Sequence, residues 1–329
     1  MASFDVMPEV QLYQPVELDD ALNLADELGR DGWLLGGGQD TYGWLKDRAK
    51  QPRALIDLNG IEALKGIRAT DDGIEIGAAT TLREIIRDDG IRRDYSLLAE
   101  AANRVASPQI RNVGTLGGNL VQDTRCWYYR RGLDCYRAGG NICYADGPEA
   151  MNREHSVFGA SRCVAVSPSD TATALVALEA TMVVASSTGQ RTLAAEDFFV
   201  GPDTHITQMT AMKPGEILTA VRIPSKWAGQ RFYWEKVADR DVWDFALVSI
   251  AVAMSLDGDT VTDSRFVCGG VACTPHRLRN VERAARGKAL GDESADALAP
   301  LASEGAEPLN YNHFKLPLME NLVRRAMRG

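Results

Sequence analysis

The chain has 329 residues, 45% of them hydrophobic and 25% charged, and carries a net charge of −9. That length exceeds one compact core and predicts two or three domains. The acidic balance argues against non-specific binding to nucleic acid or to an anionic membrane surface, and six cysteines are too few for a disulfide scaffold.

The opening stretch MASFDVMPEVQLYQP has neither the basic segment nor the apolar core of a signal peptide. The longest apolar run, 245–256, is too short to cross a bilayer. The chain is therefore expected to fold in the cytoplasm, and to reach the periplasm only alongside a partner that carries an export signal. Leu18, Ala21, Leu22, Ala25 and Leu28 at helical spacing predict an amphipathic helix over 17–28, stopped by Gly29 and Gly32. WLLG at 33–36 reads as a buried strand that runs into Gly36-Gly37-Gly38-Gln39-Asp40, and ALIDLN at 54–59 as a second strand. GIRAT and GIEIGAA pair as a hairpin across Asp72-Gly73.

Thr81 with Glu84 forms a capping-box signature for a short helix carrying Leu82, Ile85 and Ile86. A further helix over 96–105 ends before Ser107-Pro108, and a second glycine loop follows at 114–120. CVAVS at 163–167 reads as a strand leading into a helix opened by Ser169-Asp170. RFYWEKVA, FALVSIAVAMSL and TVTDSRFVCGGVACTP predict a three-stranded antiparallel meander, with helices closing the chain from near Leu316-Pro317. Boundaries near 50 and at 222–230 give three units, 1–50, 51–224 and 225–329.

Each glycine loop directs successive backbone N–H groups at a common point, as an anion requires. Neither matches G-x-G-x-x-G or G-x-x-x-x-G-K-[ST], which excludes a Rossmann or P-loop reading. A single such loop is better read as a tight turn; two together weaken that reading without removing it. The cysteine spacing is Cys126-x8-Cys135-x7-Cys143-x19-Cys163, with none of the close knuckles of structural zinc sites. Four thiolates along an irregular loop satisfy an iron–sulfur cluster, with Arg125, Arg130, Arg131, Arg137, Arg153 and Arg162 nearby in sequence to offset their charge. Four unrelated free thiols stand beside that reading with equal weight. Cys268 and Cys273 read as small core residues. The histidines are scattered, and no Ser/His/Asp or HExxH pattern occurs, which suits a protein whose chemistry belongs to cofactors.

In order along the chain, LLGGGQDTYGWLK, IGAATTL, TLGGNL, SPSDTATALVALEA and GEILTAVRIP resemble the FAD-binding medium subunit of the xanthine dehydrogenase and molybdenum hydroxylase family, over about residues 8–325. The resemblance implies an α+β chain: a vanillyl-alcohol-oxidase-like (PCMH-type) two-subdomain FAD-binding fold, then a C-terminal domain with a three-stranded antiparallel sheet and helices. It implies that Leu35, Gly36, Gly37, Gly38, Gln39 and Asp40, with Gly114, Thr115, Gly117, Gly118 and Asn119, cradle the FAD pyrophosphate. Thr80, Thr81, Asp170 and Leu218 would flank the cofactor, and Lys236 would sit near the isoalloxazine.

The insertion at about 122–163 resembles that of two branches, the periplasmic-type aldehyde oxidoreductases and 4-hydroxybenzoyl-CoA reductase. There it implies a [4Fe–4S] cluster on Cys126, Cys135, Cys143 and Cys163. The first branch fits the cysteine intervals better. Partners would be a molybdopterin-binding large subunit and a [2Fe–2S] small subunit, and electrons would leave through this chain to an external acceptor. In the reductase they would flow inward. Two rival readings are a stand-alone flavin oxidase, for which no substrate base is evident, and a zinc-stabilised binding or assembly module.

Overall fold

The computed structural model describes residues 6–328 and arranges them around three sheets. The first is parallel, with strands β1 (Gln11–Tyr13), β2 (Gly32–Leu35) and β3 (Ala54–Asp57) in the order β1-β3-β2. Parallel strands need a crossover connection, and the helix Leu18–Leu28 supplies the one from β1 to β2, which leaves room for β3 between them. Its Ala21, Leu22 and Ala25 pack with Ile56, Ile61 and Leu64. Because β3 is the central strand, the boundary expected near residue 50 falls inside this sheet.

The second sheet is antiparallel and contains β4 (Ile67–Thr70), β5 (Gly73–Gly77), β6 (Thr181–Ser186), β7 (Gly189–Ala194) and β8 (Ile217–Pro224), in the order β4-β5-β8-β6-β7. The β4–β5 hairpin and the Thr81–Glu84 capping box form as the sequence predicts. Strands β6 and β7 were not legible in advance. The run Met182, Val183, Val184 follows a buried helix directly, without the alternation that marks a strand. Chain order and space diverge here: the 103 residues from Ala78 to Ala180 leave the sheet between β5 and β6 and carry the second glycine loop and the cysteines.

The third sheet has the order β12-β11-β10-β9, with β9 (Arg231–Val237), β10 (Val248–Asp257), β11 (Thr260–Gly269) and β12 (His276–Arg277). The expected three-strand meander thus gains a two-residue fourth strand, paired at Val267 and Cys268. The final helix, Lys315–Arg328, packs Met319, Leu322, Val323, Ala326 and Met327 into the core of this domain, the 3–4 spacing of one buried helical face.

Two local expectations fail. Residues 163–168 form no strand: Val164 O accepts from Ser156 N and Ser167 N donates to Ala272 O, single bonds that make no ladder. The second glycine loop closes into a short helix, Leu116–Leu120, capped by Thr115. Among the described residues no helix is long and apolar enough to cross a membrane.

Candidate functional site

The two glycine loops meet backbone to backbone. A Cβ on Gly37 would lie 2.1 Å from Val113 O, and one on Gly117 would lie 2.9 Å from Ala78 Cβ. Glycine is therefore dictated at 37 by packing on the second loop and at 117 by packing on the segment that follows β5. The loops differ in what they offer a ligand. In the second, Leu116 N donates to Thr80 O, Gly117 N to Ala78 O and Gly118 N to the Thr115 hydroxyl. In the first, the N–H groups of Gly37, Gly38 and Gln39 donate to no acceptor among the described residues. Gly38 adopts φ +75°, so successive N–H groups turn in the manner of an anion-binding nest.

These loops form one wall of a cavity of about 530 Å³, within the range of cofactor sites. Residues 36–40 line it, as do Gly114, Thr115, Gly118 and Asn119. The cavity is also lined by Asp170, the first residue of the helix Asp170–Ala177, and by Lys236 of β9. Lys236 Nζ donates to Asp170 Oδ2 at 2.6 Å and to Arg104 O at 3.1 Å. Burial pushes the Asp170 carboxyl above the usual carboxylate range, against the pull of the Lys236 ammonium. Ser169 caps the helix through Ala172 N, so capping falls to Ser169 and leaves the Asp170 carboxylate to face Lys236. Asn119 Oδ1 accepts from Ser169 and Thr171 at 2.7 and 2.6 Å, which ties the second loop to this helix.

The remaining residues expected at the cofactor stand behind this wall. Leu35 is buried with Leu45 and Leu55, while its neighbours Trp33 and Leu34 line the cavity. Thr80, fully buried, donates to Gly66 O, and Thr81 caps the helix Leu82–Arg87 and bridges to Thr115. Leu218 lies in the core of the central sheet. Gln39 turns its amide onto Gly37 O at 3.3 Å. Trp243, at φ +77°, lines the cavity and donates its backbone N–H to Ala106 O; nothing in its sequence context singled it out.

Asp40 joins the first loop to the cysteine segment. Its carboxylate accepts from Arg125, from Arg130 at 3.2 Å and from Trp44 Nε1 at 2.9 Å. A second cavity, also about 530 Å³, adjoins the first: Arg125, Asp170, Trp243 and Phe245 line both, and Cys126 and His155 line the second. The closeness of the Cys143 and Cys163 thiols pulls Cys143 down to about 6 and pushes Cys163 up. Burial pushes Cys126 up to about 11, with Cys143 and Cys135 close enough to add to that rise. Among the described residues no three His, Cys, Asp or Glu side chains close into a metal-ligand arrangement, although the all-thiol donor chemistry suits an iron–sulfur cluster.

Of the arginines in this segment, Arg125 and Arg130 serve Asp40 and Arg153 pairs with Asp239. Arg137 alone is buried among the thiols, 3.6 Å from Cys273 Sγ. Cys268 is a core residue as expected. Cys273, equally buried, is drawn into the electrostatic surroundings of Arg137 and Cys163, a proximity created by folding across 110 residues of sequence.

Comparison with known proteins agrees with this geometry. Residues 8–226 match the FAD binding domain in molybdopterin dehydrogenase, and 233–329 the CO dehydrogenase flavoprotein C-terminal domain. The chain is 35% identical over 295 residues to the aldehyde oxidoreductase FAD-binding subunit PaoB of Escherichia coli (strain K12), covering 88% of each chain. It is 30% identical to the carbon monoxide dehydrogenase medium chain of Hydrogenophaga pseudoflava, covering 98% of each. A solved structure of carbon monoxide dehydrogenase from that organism superposes with a TM-score of 0.78 at 29% identity, over 98% of this chain and 97% of the other. The chain therefore belongs to the molybdenum hydroxylase family as an FAD-binding medium subunit of the oxidoreductase.

Proposed function

We propose that this chain is the electron-transfer subunit of a heterotrimeric molybdenum-cofactor aldehyde oxidoreductase, with FAD in the glycine-loop cavity and a [4Fe–4S] cluster on Cys126, Cys135, Cys143 and Cys163. A molybdopterin-binding large subunit would oxidise the substrate, a [2Fe–2S] small subunit would deliver the electrons, and an external acceptor would receive them. The observation that carries the reading is the adjacency of the two cavities, with Asp170 in the lining of both and Cys126 in the lining of the second. The likeness to an aldehyde oxidoreductase subunit favours an aldehyde as the substrate class. Assembly is proposed in the cytoplasm, where thiols stay reduced.

FAD supplies exchange between two-electron and one-electron steps, and a cluster supplies one-electron transfer. The chain's own part is positioning and electrostatics. The N–H groups of Gly37, Gly38 and Gln39 would hold the pyrophosphate. Lys236, buried and held by Asp170 and Arg104 O, would set a fixed cation in the cavity lining, favouring a bound ring that gains negative charge. Arg137 would offset thiolate charge at the cysteine site.

The test is an anaerobic UV–visible and EPR redox titration of the purified full chain, with iron and acid-labile sulfide assays. Bleaching of a flavin and of a broad cluster band, with about four irons per chain, is the expected result. Flavin with no iron after anaerobic reconstitution overturns the cluster assignment.

A further inference from the structure

His155 is 4% exposed and points its Nε2 at Cys126 Sγ, 3.3 Å away, on the wall of the second cavity. Its backbone is held from two sides. His155 N donates to Asn152 O at 3.1 Å, and His155 O accepts from Asn312 Nδ2 at 3.0 Å and from Lys315 Nζ at 2.8 Å. Asn312 and Lys315 are both fully buried and come from the far end of the chain, where the last helix begins. Lys315 also donates to Gly270 O and makes no carboxylate ion pair among the described residues. Two buried polar side chains thus converge on one carbonyl, a costly arrangement that fixes where the imidazole stands.

The proton between the two side chains can be assigned. A metal-bound thiolate has no proton and only accepts, so Nε2 must carry the hydrogen and donate. Nδ1 is then the proton-free nitrogen, and it is buried without a partner, so nothing in the protein competes for the opposite tautomer. A hydrogen bond to a ligand sulfur withdraws electron density and stabilises the more negative, reduced cluster, and in a dry site that effect is strengthened.

The geometry points to His155 as a positioning residue that sets the redox poise of the cysteine site through an N–H···S hydrogen bond to Cys126, with Lys315 and Asn312 as its clamp. This rests on the four-cysteine cluster proposed above. Nothing in the spacing of the cysteines revealed it.

The test compares the full chain with His155→Leu, which removes the donor, and His155→Gln, which keeps an N–H near the Nε2 position. Iron and sulfide are counted first, then the cluster midpoint potential is measured by EPR titration. The expected result is an unchanged iron count, a more negative midpoint in His155→Leu, and a return toward the wild-type midpoint in His155→Gln. Equal midpoints in all three iron-loaded proteins overturn the role of His155 and leave the cluster standing. A wild-type chain without iron overturns both. Should His155→Leu lose its iron, wild-type protein labelled with ¹⁵N in the histidine ring decides: a weak nitrogen coupling to the reduced cluster in pulsed EPR supports the bond, and its absence overturns it.

Discussion

Lys236 Nζ lies 2.6 Å from Asp170 Oδ2, joining β9 of the C-terminal sheet to the first turn of a helix in the central unit, and both side chains are buried. The contact ties the C-terminal sheet to the central unit. Removing one partner of a buried ion pair leaves a charge without compensation, which costs about 3–5 kcal/mol. Asp170→Ala should therefore lower both the thermal midpoint and the flavin-to-protein ratio. The double variant Asp170→Leu with Lys236→Met should recover stability, since apolar replacement of a buried pair is often neutral, but not flavin. Full flavin retention in Asp170→Ala would remove this pair from the cofactor site.

Gly37→Ala should separate the two loops. The added Cβ would sit 2.1 Å from a backbone carbonyl that cannot rotate away, so the loops must part at a cost of about 1–3 kcal/mol. Purified protein should carry well under one flavin per chain while its far-UV circular dichroism matches wild type. Gly132→Ala is the control, because a Cβ there meets nothing, although φ +77° makes it a strained site; it should lose some stability and keep its flavin.

What was legible in the sequence divides along a physical line. Local signals held: the Thr81 capping box, the Asp72-Gly73 hairpin and the strands β9, β10 and β11 are set by residues within a few positions of one another. The glycine loops were legible as a pair, but not their division of labour, because the second loop's donors are taken by Thr80 and Ala78 in a different segment. The strand expected at CVAVS failed because an apolar run records burial and not pairing. Asp40 with Arg130, Cys126 with His155 and Arg137 with Cys273 are contacts across 90, 29 and 136 residues, beyond any periodicity.

Cys135→Ser should abolish the EPR signal of the reduced cluster while the flavin absorption survives. Cys135 is buried beside Trp44 and Tyr129, apart from the FAD cavity lining, so its loss need not disturb the flavin. Cys268→Ser supplies the contrast: it lies in the C-terminal core, with burial raising its thiol to about 12, and should reduce stability without changing the signal. An unchanged signal in Cys135→Ser takes that residue out of the ligand set.

Lys315 gives a pH dependence whose sign follows from burial. Desolvation lowers its amine to about 7 in the folded chain, against about 10.4 when unfolded. Between those values the unfolded state binds more protons, so stability rises with pH through that window. Below about 7 the penalty is fully present. Measured against Lys315→Met, wild-type stability should gain on the order of 4 kcal/mol from about pH 6 to about pH 10. The loss of donors to His155 O and Gly270 O in the variant is a constant offset. A flat difference across that range in denaturant titrations would mean the folded amine keeps its ordinary basicity.

The Asp40–Arg130 contact joins the cysteine segment to the first glycine loop. Asp40 follows the three glycines of the first loop, and Arg130, stacked 4.1 Å over Trp44, reaches it from the insertion at 3.2 Å. The fold of the inserted segment therefore bears on the orientation of the loop whose free N–H groups face the cavity. Arg130→Gln should weaken flavin binding although Arg130 does not line the cavity, and so should Asp40→Asn. If both act through one contact, the double variant should lose less than the sum of the singles, with a coupling of about 0.5–3 kcal/mol. Flavin affinities of the four proteins, measured by titration of the deflavinated chain, give that coupling directly. Strict additivity would mean that Asp40 serves the flavin through Trp44 or Arg125 and not through Arg130.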